Sequence, residues 1–288
     1  MFGVVRNGCS SGFGPSAHWK LETRLLTELS SVTSPQLLAA LDVLGVDRLD
    51  CILLTHIHVD HAGGIGEVAR AYPDAPVVCH ASGIPHLVDP TRLQAGTVKT
   101  LGAVGEAYGP VTPVPAGQLV DAAHFEYPGL ESIETPGHAA HHVSYMNGSR
   151  LFAGEAGGML QSWPDGSFYL RPATPPRLRL GDALSSIDKL IARDPSRICY
   201  GHYGVSDDAV GMLRRHKQQL LLWEAEIGTL AAQADEIPVE ERCVRRLLQK
   251  DPLLAGFHQL APAIQKRELG FLSNSIKGFL GHLARVGS

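Results

Sequence analysis

The stretch Cys51-Ile52-Leu53-Leu54-Thr55-His56-Ile57-His58-Val59-Asp60-His61-Ala62-Gly63-Gly64 decides how this chain is read. It begins with a continuous apolar run of strand length, as expected for a strand covered on both faces. Imidazoles and a carboxylate follow at once. On extended backbone side chains alternate, so His56, His58 and Asp60 would point one way while Ile57 and Val59 turn into the core, and His61 breaks the alternation. Imidazole nitrogens and carboxylate oxygens are common zinc donors, and a run of them can begin two adjacent metal sites. Gly63-Gly64 would then let the chain turn tightly into a helix, leaving the donors at the end of a rigid element. With His and Asp this frequent, the pattern HxHxDH arises by accident in about one chain in 500, which makes a chance polar loop the weaker reading.

Further along, ligand-type residues again follow strand ends. In Thr135-Pro136-Gly137-His138-Ala139-Ala140-His141-His142, the Pro-Gly turn presents His138 from a fixed backbone. Glu155 follows Leu151-Phe152-Ala153-Gly154, and His202 follows Ile198-Cys199-Tyr200-Gly201 with Tyr203 next to it. Between these points the chain reads as mixed helix and strand. Ser34-Pro35 starts a helix reaching about Leu44, and Ile65, Val68, Ala69 and Tyr72 recur at helical spacing up to Pro73. Val77-Val78 begins a strand, and 132–134, 143–146 and 151–153 are short strands. Residues 157–176 are rich in Pro and Gly and read as a flap or connection, whose Trp163, Phe168 and Tyr169 could line an apolar acyl pocket. Leu180, Ala183, Leu184, Ile187, Leu190 and Ile191 make an amphipathic helix ended by Pro195. From Ser206, read as an N-cap, the pattern is helical to the end, with Leu213, Leu220, Ile227 and Leu230 forming a stripe and a last helix near 269–283. The glycines of 8–15 do not match a nucleotide-binding fingerprint.

Composition narrows the partners. The chain has 288 residues, 44% hydrophobic and 19% charged, an ordinary core-forming balance. A formal charge of −4 gives no reason to expect nucleic acid or an anionic membrane. The start, Met1-Phe2-Gly3-Val4-Val5-Arg6, lacks the pattern of a secretion signal. The cysteines, Cys9, Cys51, Cys79, Cys199 and Cys243, are scattered and read as reduced thiols of a cytoplasmic protein. The expected partner is a small-molecule substrate. Leu220, Trp223, Ile227 and the last helix either pack on the core, cap the site or form the seam of a homodimer.

Taken together, the HxHxDH run, the TPGH turn, an acidic residue after a Phe-Ala-Gly strand end and a late Gly-His resemble the metallo-β-lactamase-fold hydrolase superfamily over roughly residues 34–204. The segment 81–93 and the helical tail resemble a general-hydrolase branch of it. The resemblance implies an α/β (α+β) fold, a four-layer αβ/βα sandwich with metals at one edge of two packed sheets. A catalytic domain would span 1–205 and a helical C-terminal extension 206–288. Carried over position by position, His56, His58 and His138 would hold the first metal, and Asp60, His61 and His202 the second. Glu155 falls where the family has a bridging aspartate, and His142 would brace the ligands or face substrate. Tyr203 or Tyr145 could donate to the oxyanion, or each is an edge tyrosine with its hydroxyl in water.

This chain departs from the family at two places. Glu155 is one methylene longer than aspartate, so its carboxylate must come from farther back or bridge differently. The early Asp-Thr-Gly strand end is not visible, and Arg6-Asn7-Gly8-Cys9 or the segment near Ser11 stands in its place. The implied chemistry uses two zinc ions, with iron or manganese as alternatives. A metal-bound hydroxide oriented by Asp60 would cleave a lactone, thioester, carboxylic ester or β-lactam. Three rival readings differ in kind. A mononuclear iron oxygenase is opposed by the intact Asp60-His61 pair. A phosphodiesterase or nuclease is opposed by the lack of a basic block. A metal-free interaction protein is opposed by the full set of histidines.

Overall fold

The computed structural model describes residues 3–7, 22–27, 30–175, 178–202 and 204–286. Two compact units divide the chain, Met1–Glu126 and Tyr127–Ser288.

In the first unit the apolar run becomes a central strand, every residue of it buried. The sheet has the order β1 (Gly3–Asn7), β2 (Glu22–Thr27), β3 (Cys51–Leu54), β4 (Val77–Cys79), β5 (Leu119–Asp121). β1 and β2 are antiparallel and the other pairs parallel, with Leu25 opposite Ile52 and Ile52 opposite Val77. Parallel neighbours need long crossovers. These are supplied by α1 (Ser34–Val43) before β3, by α2 (Val59–Ala62) and α3 (Ile65–Ala71) before β4, and by α4 (Ile84–Val88), α5 (Thr91–Leu101) and α6 (Ala103–Ala107) before β5. Leu37 and Leu41 of α1 and Val68 and Ala69 of α3 bury against Ile52, Leu54 and Val77. The Gln118 amide reaches the carbonyls of Ala69, Tyr72 and Ala75 at 3.1, 2.9 and 2.8 Å, satisfying acceptors that the end of α3 leaves over. Arg6 and Asn7 end β1, while Gly8, Cys9 and Ser11 lie outside the described residues.

The second unit is built on a sheet ordered β12-β11-β8-β7-β6. β6 (Leu130–Glu134), β7 (Val143–Asn147) and β8 (Arg150–Gly154) form an antiparallel meander. The chain then runs through β9 (Met159–Ser162), β10 (Phe168–Arg171) and α7 (Leu180–Ile191), returning as β11 (Arg197–Tyr200) parallel to β8, with β12 (Val205–Ser206) antiparallel at the edge.

The segment expected to be a flap is therefore an ordered hairpin, β9 paired with β10 from Phe168 opposite Ser162 to Arg171 opposite Met159. Its Pro/Gly content sits in the turn and the exit, and its aromatics turn inward. Tyr169 is buried beside Phe257, and Trp163 and Phe168 pack on the unit's own core.

The helical tail belongs to the same core. In α8 (Ala209–Ala231), α9 (Val239–Lys250) and α10 (Pro262–Val286), residues Trp223, Ile227, Leu247, Ile276 and Phe279 cluster with Leu151, Leu190 and Ile198. Leu220, Trp223 and Ile227 thus pack on the core, the first of the alternatives stated for them. Ser206 is a strand residue and not the cap. Asp208 caps α8 by accepting from the Gly211 N–H at 3.1 Å. The last helix starts at Pro262, earlier than its apolar periodicity suggests. None of the described helices is long and apolar enough to cross a membrane.

Candidate metal centre

In the first unit the donors begin two residues after the end of β3. Thr55 is buried, and the ring Nδ1 of buried His56 lies 3.1 Å from its hydroxyl. Its other ring nitrogen, Nε2, lies 3.0 Å from Nδ1 of His58. Ile57 and Val59 are buried, as alternation predicts. Beyond His58 the extended backbone stops. Val59 to Ala62 form the single turn α2, closed by the N–H groups of His61 and Ala62 on the His58 carbonyl at 2.9 and 2.8 Å. Asp60 therefore projects from a helical turn, a correction to its placement on an extended run. His61 is fully buried, its Nε2 3.4 Å from Asp60 Oδ2, and its ring centroid is 4.0 Å from that of His56. Gly63 permits this turn, because a Cβ there would meet the Val59 carbonyl at 2.3 Å.

In the second unit Glu155 is the centre. One carboxylate oxygen, Oε2, is 2.7 Å from His138 Nε2, and the other, Oε1, is 3.1 Å from His202 Nε2. The extra methylene of glutamate does not stop the group from offering one oxygen to each of two imidazoles, the disposition that bridging requires. Gly154, at φ 54°, turns the chain out of β8 to place it.

His138 stands on the TPGH turn, where Gly137 has φ 148° and a Cβ would press on Ala183 Cα at 2.7 Å. Its Nδ1–H donates to the Ala173 carbonyl at 2.6 Å, which leaves Nε2 as the donor atom facing Glu155. His142 is fully buried. Its Nδ1 is 2.8 Å from the Thr135 hydroxyl, and its Nε2 accepts from the Glu155 N–H at 3.2 Å. Of the two roles considered for it, these contacts favour the brace.

Tyr203 lies outside the described residues. Tyr145 is fully buried on β7. Cys199 is half-buried on β11 and burial raises its thiol pKa, as suits a packed side chain rather than a thiolate ligand.

Two features were not anticipated from the residues. One is the Ala173 carbonyl, which has no side-chain signal. The other is His216 on α8, buried on the same face as Leu213 and Leu220, a polar break in an apolar stripe that could have been noticed. His216, Thr135, His138, Glu155 and Ser186 line a pocket of about 20 Å³ within the second unit, enough for one water molecule. Its tautomer follows from its neighbours. The Gln219 amide nitrogen donates to the Leu170 carbonyl and to Asp251 Oδ2, both at 2.7 Å, so Gln219 Oε1 accepts from His216 Nδ1–H at 3.0 Å. Burial lowers the His216 pKa to about 4.

The donor set is thus His56, His58, Asp60 and His61 in one unit and His138, Glu155 and His202 in the other. Histidines and carboxylates are the donor types that a dinuclear metal site takes. The ligand nitrogen of His138 is already preset by the hydrogen bond from the opposite ring atom to the Ala173 carbonyl.

Comparison with known proteins agrees. The model of the metallo-beta-lactamase superfamily matches residues 17–202. A metallo-beta-lactamase fold-containing protein of Sulfurisphaera tokodaii is 27% identical over 65% of this chain and 74% of its own length. A hydroxyacylglutathione hydrolase of Cupriavidus taiwanensis is 28% identical over 64% of this chain and 62% of its own length. For another, from Pectobacterium atrosepticum, the match is 31% identical and spans only 37% and 32%. The chain therefore covers less than two thirds of these two hydrolases. Among solved structures, a metallo-beta-lactamase family protein of Thermus thermophilus shares the fold at TM-score 0.60 and 21% identity, covering 92% of this chain and 86% of that one. The archaeal superfamily protein from Sulfolobus tokodaii does so at 0.57 and 22%, covering 83% and 89%. By its matching residues, its mixed sheets with a helical C-terminal part and its donor set, this chain belongs to the metallo-beta-lactamase superfamily.

Proposed function

We propose that this chain is a zinc-dependent hydrolase that cleaves an ester-type bond in a small substrate, with thioesters the first class to test. The observation that carries this reading is Glu155, whose carboxylate gives one oxygen to His138 and the other to His202. A carboxylate so placed suits a bridge between two cations better than a lone structural ion. The relatives named as hydroxyacylglutathione hydrolases favour a thioester among the lactone, carboxylic ester and β-lactam alternatives.

In the proposed roles His56, His58 and His138 would hold one metal and Asp60, His61 and His202 the other, with Glu155 available to both. When bound, such a pair supplies a nucleophilic water at neutral pH and polarises the substrate carbonyl. The protein's own part is positional. The Ala173 carbonyl holds the His138 ring with Nε2 free to ligate, Thr55 fixes the His56 ring, His142 holds the backbone of Glu155, and Asp60 would orient the attacking water.

Metal analysis together with a panel of a thioester, a lactone, a β-lactam and a phosphodiester, each run with metal-stripped protein as control, tests the proposal. About two zinc ions per chain and metal-dependent turnover of a carboxylic substrate are expected. One iron per chain with oxygen consumption, or turnover of the phosphodiester alone, would overturn it.

A further inference from the structure

We propose that the helical C-terminal part is a positioning element of the metal site, acting on His138 through residues 172–174. The inference rests on the reading of His138 as a metal ligand. Its starting point is the 2.6 Å hydrogen bond from His138 Nδ1–H to the Ala173 carbonyl. A backbone carbonyl can fix a histidine's tautomer and ring plane only if its own segment is held. Residues 172–174 lie in no strand or helix, and side chains hold them.

Those side chains come from α10 and from β10. Arg171, at the end of β10, is buried, and its Nε donates to Glu268 Oε2 of α10 at 2.6 Å, where the Tyr169 hydroxyl also donates at 3.3 Å. The same guanidinium donates from Nη1 to the Pro172 carbonyl at 3.1 Å and stacks over Phe271 at 4.7 Å from the ring centroid. The Ser275 hydroxyl donates to the Pro172 carbonyl at 3.3 Å, and the Thr174 hydroxyl donates to the Ser275 carbonyl at the same distance. A Cβ on Gly278 would meet the Pro175 carbonyl at 2.4 Å, so α10 runs against the segment there.

The residues on both sides of Ala173 are therefore tied to one helix, and the carbonyl between them is left aimed at His138. A buried ion pair is an expensive way to stabilise a fold, since apolar residues of similar volume often do as well. Its use here is understood if Arg171 and Glu268 fix a direction, because hydrogen bonds have preferred angles that apolar contacts lack.

The test compares wild type with Glu268→Gln, which keeps the volume and removes the charge, and with Ser275→Ala. Loss of a buried charge can unfold a domain, and the milder serine variant keeps the test decisive if it does. Two readouts are taken besides thermal stability: the solvent exchange of the His138 Nδ1–H proton, followed by NMR in metal-free protein, and zinc affinity by chelator competition. In wild type that proton is expected to be hydrogen-bonded and slow to exchange. In the folded variants it exchanges faster and zinc affinity falls by about 10-fold, the lower end of the effect of losing such an outer partner. If melting drops but exchange and affinity stay as in wild type, the helix only stabilises the fold and the proposal fails. If exchange quickens while neither wild type nor variant binds zinc, the positioning stands and the metal reading fails.

Discussion

The backbone N–H of Glu155 donates to Nε2 of His142 at 3.2 Å, so a histidine of the TPGH turn holds the residue that follows β8. His142 is fully buried, and its other nitrogen is engaged with Thr135. Replacing it with leucine keeps the volume but removes the acceptor. Urea unfolding of metal-free His142→Leu is expected to show a loss of roughly 1–3 kcal/mol, the cost of burying a donor without its partner. Zinc affinity is expected to fall with it. Equal zinc affinity in the two proteins would mean that His142 serves the core alone.

Glu155→Asp shortens a side chain that reaches both His138 and His202. Aspartate at this position cannot keep both contacts without backbone movement, because β8 and the His142 bond hold the chain. Calorimetric titration is expected to retain one tight zinc site and weaken the other by at least about 10-fold. Unchanged stoichiometry and affinity would show that the glutamate's length is immaterial.

His216 predicts a pH dependence of stability whose sign can be worked out. Its folded pKa is lowered to about 4 by burial, against 6.5 for the exposed ring. Between those values the unfolded chain takes up a proton that the folded protein refuses, so the contribution is fully present above 6.5 and is lost as pH falls toward 4. From pH 6.5 to 5 the loss is about 2 kcal/mol. Denaturant midpoints of wild type and His216→Gln at pH 7 and pH 5 check this. The variant is expected to lose less on acidification, and parallel losses would contradict the assignment.

Gly137→Ala places a Cβ 2.7 Å from Ala183 Cα at φ 148°, where L side chains are strained. A stability loss of about 1–3 kcal/mol is expected. Because the turn carries His138, zinc affinity falls too, whereas Gly148→Ala, strained at φ 58° but with nothing near its Cβ, is expected to leave zinc affinity alone.

Much was legible wherever the deciding interactions are local. Cys51–Leu54 reads as a buried strand because its apolar run is unbroken, and Leu180–Ile191 as a helix because its apolar residues recur at helical spacing. The donors were legible for the same reason, because His56, Glu155 and His202 each follow a strand end within two residues and the others stand in the short motifs HxHxDH and TPGH. Elsewhere the local signal misled. Asp60 looked extended because the alternation of His56 and His58 continues through it, while the turn at Val59–Ala62 is closed by backbone bonds to the His58 carbonyl. The hairpin of β9 and β10 was hidden by Gly and Pro in its turn and exit.

The residues by themselves determined the chemical inventory of this protein, the histidines and carboxylates and the rigid elements whose ends carry them, because covalent order and periodicity are local properties. Only the tertiary structure decided which atoms face each other. It aimed the two oxygens of Glu155 at His138 and His202, gave His138 the carbonyl of Ala173, and put Arg171 on Glu268 of α10. Partners 17, 47, 35 and 97 residues apart carry no mark of each other in the chain, since their meeting depends on sheet register and core packing that form only when the whole unit folds.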